Sequence, residues 1–125
     1  MSELKFAKSH EWVKTIGDNK VRLGISDHAQ NAMGDLVFVN LPEVGDHLEI
    51  DDVFADVESV KAVSDIYCPV AGTVSAVNEE LLDVPEAINQ GPYEAWLVEL
   101  SDVTDWSSAL MTEEEYQLYL EAEEA

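Results

Sequence analysis

The chain has 125 residues, 46% of them hydrophobic, which is enough for one domain with a substantial core. Its 27 acidic residues against 6 basic ones give a net charge of −21, which argues against nucleic acid and anionic membranes as partners, because both demand basic patches. No apolar run approaches the length of a membrane span, and Cys68, the sole cysteine, leaves no internal disulfide to form.

The acidity serves solubility, or steers the chain onto partner proteins with basic rims, where it raises on-rates more than affinity. The opening MSELKFAKSHEW lacks the apolar core of a signal peptide and the Arg-rich character of a presequence. A bacterial-type cytoplasmic protein is expected, with a processed organellar protein as the alternative.

Short strands are predicted around Leu4–Phe6, Trp12–Ile16 and Lys20–Ile25, with Gly17-Asp18-Asn19 turning between the last two. Ser26 can cap a short helix through Ala29 and Ala32, with Gly34 in the stopping position. Leu36–Leu41 reads as a buried strand ended by Pro42. A turn at Gly45-Asp46 then leads through Leu48 and Ile50. Val53–Val70 alternates in period two on the way in (Val53, Ala55, Val57) and out (Ile66, Cys68, Val70), as two half-buried strands do. Pairing Val57 with Ile66, Ala55 with Cys68 and Val53 with Val70 gives a hairpin joined by Lys61-Ala62. It also sets Glu58 opposite Asp65, an unfavourable like-charge pair.

Beyond the hairpin, Gly72–Val77 alternates as another strand and Leu81–Ile88 as a helical turn interrupted by Pro85. Trp96–Leu100 looks like a closing strand. Thr112 and Glu115 form a capping box, Met111 and Tyr116 a hydrophobic staple, and Tyr116, Tyr119 and Leu120 one apolar stripe, so a short helix packs on the sheet. Trp12, Trp96 and Trp106 read as core anchors and Cys68 as a small core residue. Many short strands with frequent turns indicate a mainly β, antiparallel architecture. The turn-then-strand units at Gly45-Asp46 and Ala71-Gly72, either side of the hairpin, suggest weak internal symmetry.

Little here looks catalytic. His10, His28 and His47 are far apart in sequence without HxH or HxxxH spacing, so no metal is expected. There is no nucleophile elbow, GxGxxG or P-loop. Lys61 stands out instead: from residue 23 onward it is the one cation among 24 carboxylates. Val60-Lys61-Ala62 also offers none of the Asn, Asp or Gly that tight hairpin turns favour. Something other than turn chemistry chose these residues.

Glu58-Ser59-Val60-Lys61-Ala62, with Ser64-Asp65-Ile66-Tyr67 and Pro69-x-x-Gly72, resembles the lipoyl-lysine hairpin of the H protein family of the glycine cleavage system. Ser9–Val13 (SHEWV), Gly24–Gln30 (GISDHAQ), Gly34–Val39, Leu41-Pro42-x-Val44-Gly45, Val77–Leu81 and Pro85-x-x-Ile88-Asn89 are similar to that family's segments, in its order.

The resemblance implies a barrel-sandwich hybrid of the lipoyl and biotinyl carriers, with an internal helix and a terminal one. It implies one non-catalytic carrier domain over 1–125, its lipoyl hairpin at 53–70 and its last helix at about 112–123. Lys61 would carry lipoate as N6-lipoyl-lysine, flanked by the recognition residues Glu58, Ser59, Val60, Ala62 and Asp65. Ser9, Glu11 and Asp65 would line a cleft for the arm, with Glu11 holding the aminomethyl cation. The implied partners are the PLP-dependent glycine decarboxylase (P protein), the aminomethyltransferase (T protein), dihydrolipoyl dehydrogenase (L protein), and a lipoate ligase or octanoyl/lipoyl transferase, around a monomeric carrier.

One departure is that Pro92-Tyr93-Glu94-Ala95-Trp96 is a residue shorter than the family's usual segment and has Ala where Gly is expected. That leaves room for an alternative, an H-like lipoate donor serving other lipoyl enzymes. Biotin is disfavoured because Val60 and Ala62 stand where methionines usually flank a biotinyl lysine. A 2-oxoacid dehydrogenase lipoyl domain would lack SHEWV and the terminal helix.

Overall fold

A computed structural model describes residues 4–124, so both extreme ends of the 1–125 span lie outside the described residues. Nine strands and four helices follow in chain order: β1 (Leu4–Phe6), β2 (Glu11–Gly17), β3 (Lys20–Ile25), α1 (Asp27–Met33), β4 (Leu36–Asn40), β5 (His47–Leu48), β6 (Val53–Ser59), β7 (Val63–Tyr67), β8 (Val70–Val77), α2 (Glu80–Asp83), α3 (Ala87–Gln90), β9 (Val98–Trp106) and α4 (Glu113–Glu124). They form a six-stranded sheet, β1-β2-β3-β9-β8-β5, and a three-stranded sheet, β4-β6-β7, all of whose pairings are antiparallel. The fold is mainly β, as expected.

Inward residues of both sheets share one core, including Val13, Leu23 and Leu100 from the larger sheet and Val39, Val57 and Ile66 from the smaller. A second cluster holds α4 against β1 and β2. Phe6 and Tyr116 stack at 4.4 Å between ring centroids, Trp12 is buried beside them, and Met111, Tyr119 and Leu120 close the edge. The capping box is formed: the Thr112 N–H donates to Glu115 Oε1 at 2.9 Å and the Glu115 N–H to Thr112 Oγ1 at 3.2 Å. Helix α1 begins and ends as its sequence predicts, with Ser26 Oγ accepting the Ala29 N–H and Gly34 closing it.

The two turn-then-strand units either side of the hairpin pair with each other. His47 lies opposite Thr73 and Leu48 opposite Gly72. Gly45 and Val74 extend that contact, the Gly45 N–H donating to the Val74 carbonyl at 2.8 Å.

Several sequence expectations need correcting. The hairpin register is shifted: Val57 faces Ser64, Ala55 faces Ile66 and Asp56 faces Asp65, while Glu58 faces Val63. The opposed acidic pair is therefore Asp56–Asp65, not Glu58–Asp65. An even shift keeps every side chain on its face, so alternation cannot detect it. Cys68 leaves the ladder, its N–H donating to the Asp52 carbonyl at 2.8 Å, and Val70 begins β8 opposite Trp106. Val53 is half exposed rather than inward. Strand β4 is buried only at Leu36 and Val39, with Val37 and Phe38 exposed. Strand β9 starts at Val98 and runs six residues past Leu100, to Trp106. Trp106 is 40% exposed and Trp96 only partly covered, with the Arg22 guanidinium 4.7 Å over its ring, so Trp12 alone is a true core anchor.

Candidate functional site

The turn at the hairpin tip is built by Ser59. Its N–H donates to the Ala62 carbonyl at 2.8 Å, and its Oγ accepts the N–H groups of Lys61 and Ala62, each at 3.1 Å. A serine side chain thus does what Asn, Asp or Gly usually does in a tight turn. The two-residue tip is Val60-Lys61, one position earlier than the sequence register implies. The Val60 N–H donates to the Asp35 carbonyl at 3.1 Å, which pins the tip to the chain ahead of β4. Lys61 is exposed, and so are Val60 and Val63.

The stem of Lys61 lies over Gly34. A Cβ on that glycine would stand 3.4 Å from Lys61 Cε and 3.7 Å from Nζ. Gly34 also has φ 81° and ψ −158°, a conformation reserved for glycine. Asn89 holds it there: its amide donates to the Gly34 carbonyl and to Gln30 Oε1, both at 2.9 Å, while its Oδ1 accepts the Leu36 N–H at 2.9 Å. Asn89 was visible only as a member of a motif and Gly34 only as a helix stop, because their roles beneath Lys61 depend on contacts across 55 residues of chain.

Between α1 and β7 lies a cavity of about 140 Å³, walled by Ile25, Ala29, Ala32 and Met33, with Ser9, His10, Ser64 and Asp65 as its polar groups. Glu11 does not line it. Glu11 faces a second cavity of about 190 Å³ with Asp51, Tyr67 and Cys68, and Ser9 borders both. The structure therefore brings Ser9 to Asp65 and Ser9 to Glu11, but places Asp65 and Glu11 on adjoining cavities rather than in one.

Glu11 is 1% exposed. One carboxylate oxygen accepts a hydrogen bond from the Ser9 hydroxyl and the other accepts the Tyr67 N–H at 3.2 Å. Burial raises its pKa above the ordinary carboxylate value, the Ser9 and Tyr67 hydrogen bonds pull it back, and Asp51 adds to the rise. A carboxylate so placed attracts a cation that could complete its neutralisation.

His10 stands at the cavity with φ 78°, and its ring centroid is 4.8 Å from that of His28. The fold brings together two histidines that look unrelated in sequence. Burial and His28 lower the pKa of His10 and Glu123 opposes them. Among the described residues, no three His, Cys, Asp or Glu side chains converge as a metal site would require.

The shortened Pro92–Trp96 segment needs no left-handed residue at Ala95, whose N–H donates to the Gly91 carbonyl at 2.9 Å. The Pro92 carbonyl accepts the Trp12 indole N–H at 3.0 Å and the Tyr93 hydroxyl accepts the Asp27 N–H at 3.1 Å, so the loop braces the start of α1.

Residues 4–123 match the family model described as Glycine cleavage H-protein. The chain is 49% identical to the glycine cleavage system H protein of Lachnoclostridium phytofermentans over 98% of its length and 96% of the relative's. It is 56% identical to that of Halalkalibacterium halodurans, over 93% and 91%. It also superposes on the crystal structure of a glycine cleavage system H protein from Mycobacterium marinum with a TM-score of 0.89 at 36% identity, covering 95% of this chain and 97% of the other. Resemblance in sequence motifs, a matching two-sheet fold and full-length identity agree: the chain belongs to the glycine cleavage H-protein family, a carrier component of the glycine cleavage system rather than one of its catalysts.

Proposed function

We propose that this chain acts as one lipoyl-carrier domain whose attachment residue is Lys61, working in the bacterial cytoplasm as a monomer. The observation that carries this reading is the tip itself: an exposed lysine, isolated among carboxylates, whose stem crosses a glycine beside a narrow, largely apolar cavity. The residues fit such a group. Gly34 leaves room for the stem, the apolar wall of Ala29, Ala32 and Met33 suits an aliphatic chain, and Ser9 and Asp65 offer polar partners.

When amide-linked to Lys61, the lipoyl group supplies a disulfide able to take the aminomethyl group of glycine at the P protein, yield it at the T protein and be reoxidised by the L protein. This chain's own residues present and shelter that group. Ser59 fixes the tip so that a lipoate ligase or transferase meets one conformation, with Val60 and Ala62 as its immediate neighbours and Glu58 and Asp65 as the flanking charges. Asp65 and buried Glu11 keep an amine in its charged form, and the small cavities exclude the water that would hydrolyse an adduct. Ser9, hydrogen-bonded to Glu11, also borders the cavity that Asp65 lines.

The test is intact mass and peptide mapping after co-expression with a lipoate ligase, beside Lys61→Ala. A lipoyl increment on Lys61 and none on the variant is expected, followed by glycine-dependent loading with P protein. An unmodified Lys61 under conditions that lipoylate another acceptor would overturn the reading.

A further inference from the structure

Three elements meet at one hydroxyl. The Tyr116 hydroxyl, on α4, lies 2.7 Å from Ser26 Oγ and 2.7 Å from His10 Nδ1. Ser26 is fully buried and already accepts the Ala29 N–H that starts α1. Among the described residues the Tyr116 oxygen is the one acceptor within hydrogen-bond distance of the Ser26 hydroxyl, so the Ser26 proton goes there. The Tyr116 proton is then committed to His10 Nδ1, which must be unprotonated. His10 is thereby the neutral tautomer carrying its proton on Nε2, directed to Glu123 at 3.8 Å. The reverse direction would leave the Ser26 proton buried without an acceptor among the described residues.

We propose that His10 is a positioning residue of the α1–β7 cavity: as the neutral Nε2–H tautomer it ties α4 to the capped start of α1, and its protonation releases that tie. The cavity wall depends on the tie, because Ala29, Ala32 and Met33 all belong to the helix that Ser26 caps. His10 cannot easily swing away. Its left-handed backbone is held by its N–H to the Ala7 carbonyl and by the Ser26 N–H to its own carbonyl, each at 2.9 Å.

The groups facing His10 set the cost of a second proton. Ser9 adjoins it, His28 faces it from α1, Tyr116, Tyr119 and Glu123 from α4, and Asp65 of β7 shares its cavity. Glu123 favours the cation but is 44% exposed, so solvent screens it. Among the described residues, no other carboxylate in contact compensates for the broken hydroxyl chain. On the reading of Lys61 given above, a cation at His10 would also oppose an amine in the same cavity.

The experiment uses the unmodified chain, so it does not depend on lipoylation. Nitrogen-15 NMR of the imidazoles should show His10 Nδ1 without a proton at neutral pH. Tyr116→Phe, which removes one hydrogen bond to the neutral form, should raise His10 proton affinity about fivefold. Amide protection in α4 should fall in step with His10 protonation. His10→Gln, whose amide both accepts and donates, should fold and lose that acid-dependent step. A proton on Nδ1, an unchanged titration in Tyr116→Phe, or an acid-dependent loss of α4 protection that persists in His10→Gln would each overturn the proposal. Failure of Lys61 to accept lipoate would leave these results untouched, so the two readings fail separately.

Discussion

Replacing Gly34 by alanine separates backbone strain from the path of the lysine. At φ 81° and ψ −158° an L-residue is strained by about 1–3 kcal/mol. The new Cβ would also stand 3.4 Å from Lys61 Cε, at the close edge of ordinary van der Waals contact. That contact is with a flexible side chain, so it adds little energy, but the methyl group narrows the space in which the stem moves. Gly45→Ala is the control: its φ is 99°, and nothing lies within 4 Å of its Cβ. Both variants should lose about 2 kcal/mol in urea unfolding followed by tryptophan fluorescence, with Tm lower by roughly 5–10 °C. Only Gly34→Ala should change the rate of lipoylation, or of acylation by an amine reagent, at Lys61. Equal effects of the two variants on Lys61, or a loss below about 0.5 kcal/mol in Gly34→Ala, would refute the reasoning.

Other consequences can be measured directly. Glu11 has its pKa raised by burial, so the folded chain binds its proton more tightly than the unfolded one; stability should rise as pH falls through the folded pKa towards 4.5, and neutral pH carries the penalty. Glu11→Gln should therefore match or exceed wild-type stability at pH 8 and lose that advantage on acidification, as read from urea midpoints at the two pH values. Asp65→Asn relieves the Asp56–Asp65 opposition and should stabilise by about 0.2–1 kcal/mol, less at high salt; an unchanged urea midpoint at low salt would count against the pairing. Burial pushes the Cys68 thiol up to about 12 while it donates to the Val70 carbonyl, so a disulfide reagent should label it only on unfolding. Thr112→Ala should cost about 1 kcal/mol and fray α4, seen as faster amide exchange in its first turn.

Local chemistry made much of the fold legible. Ser26, Gly34, Thr112 and Glu115 set helix ends through bonds spanning a few residues, and those ends lie where the sequence places them. Period-two alternation likewise assigned Val57, Ile66 and Cys68 to the interior, and each is buried. The isolation of Lys61 among carboxylates marked the tip, and whole-chain motifs marked the family.

Tertiary structure decided what depends on partners remote in sequence. Register within the hairpin was ambiguous because shifts of two residues bury the same face, and Ser59 resolved it by closing the turn at Val60-Lys61. The separation of Glu11 from Asp65, with Ser9 bordering both cavities, follows from where β2 and β7 meet. The joining of His10, Ser26 and Tyr116 brings together groups 90 and 106 residues apart. Local patterns record what neighbouring residues require of one another; which distant groups share a cavity, a proton or a register is fixed only when the sheets and helices pack.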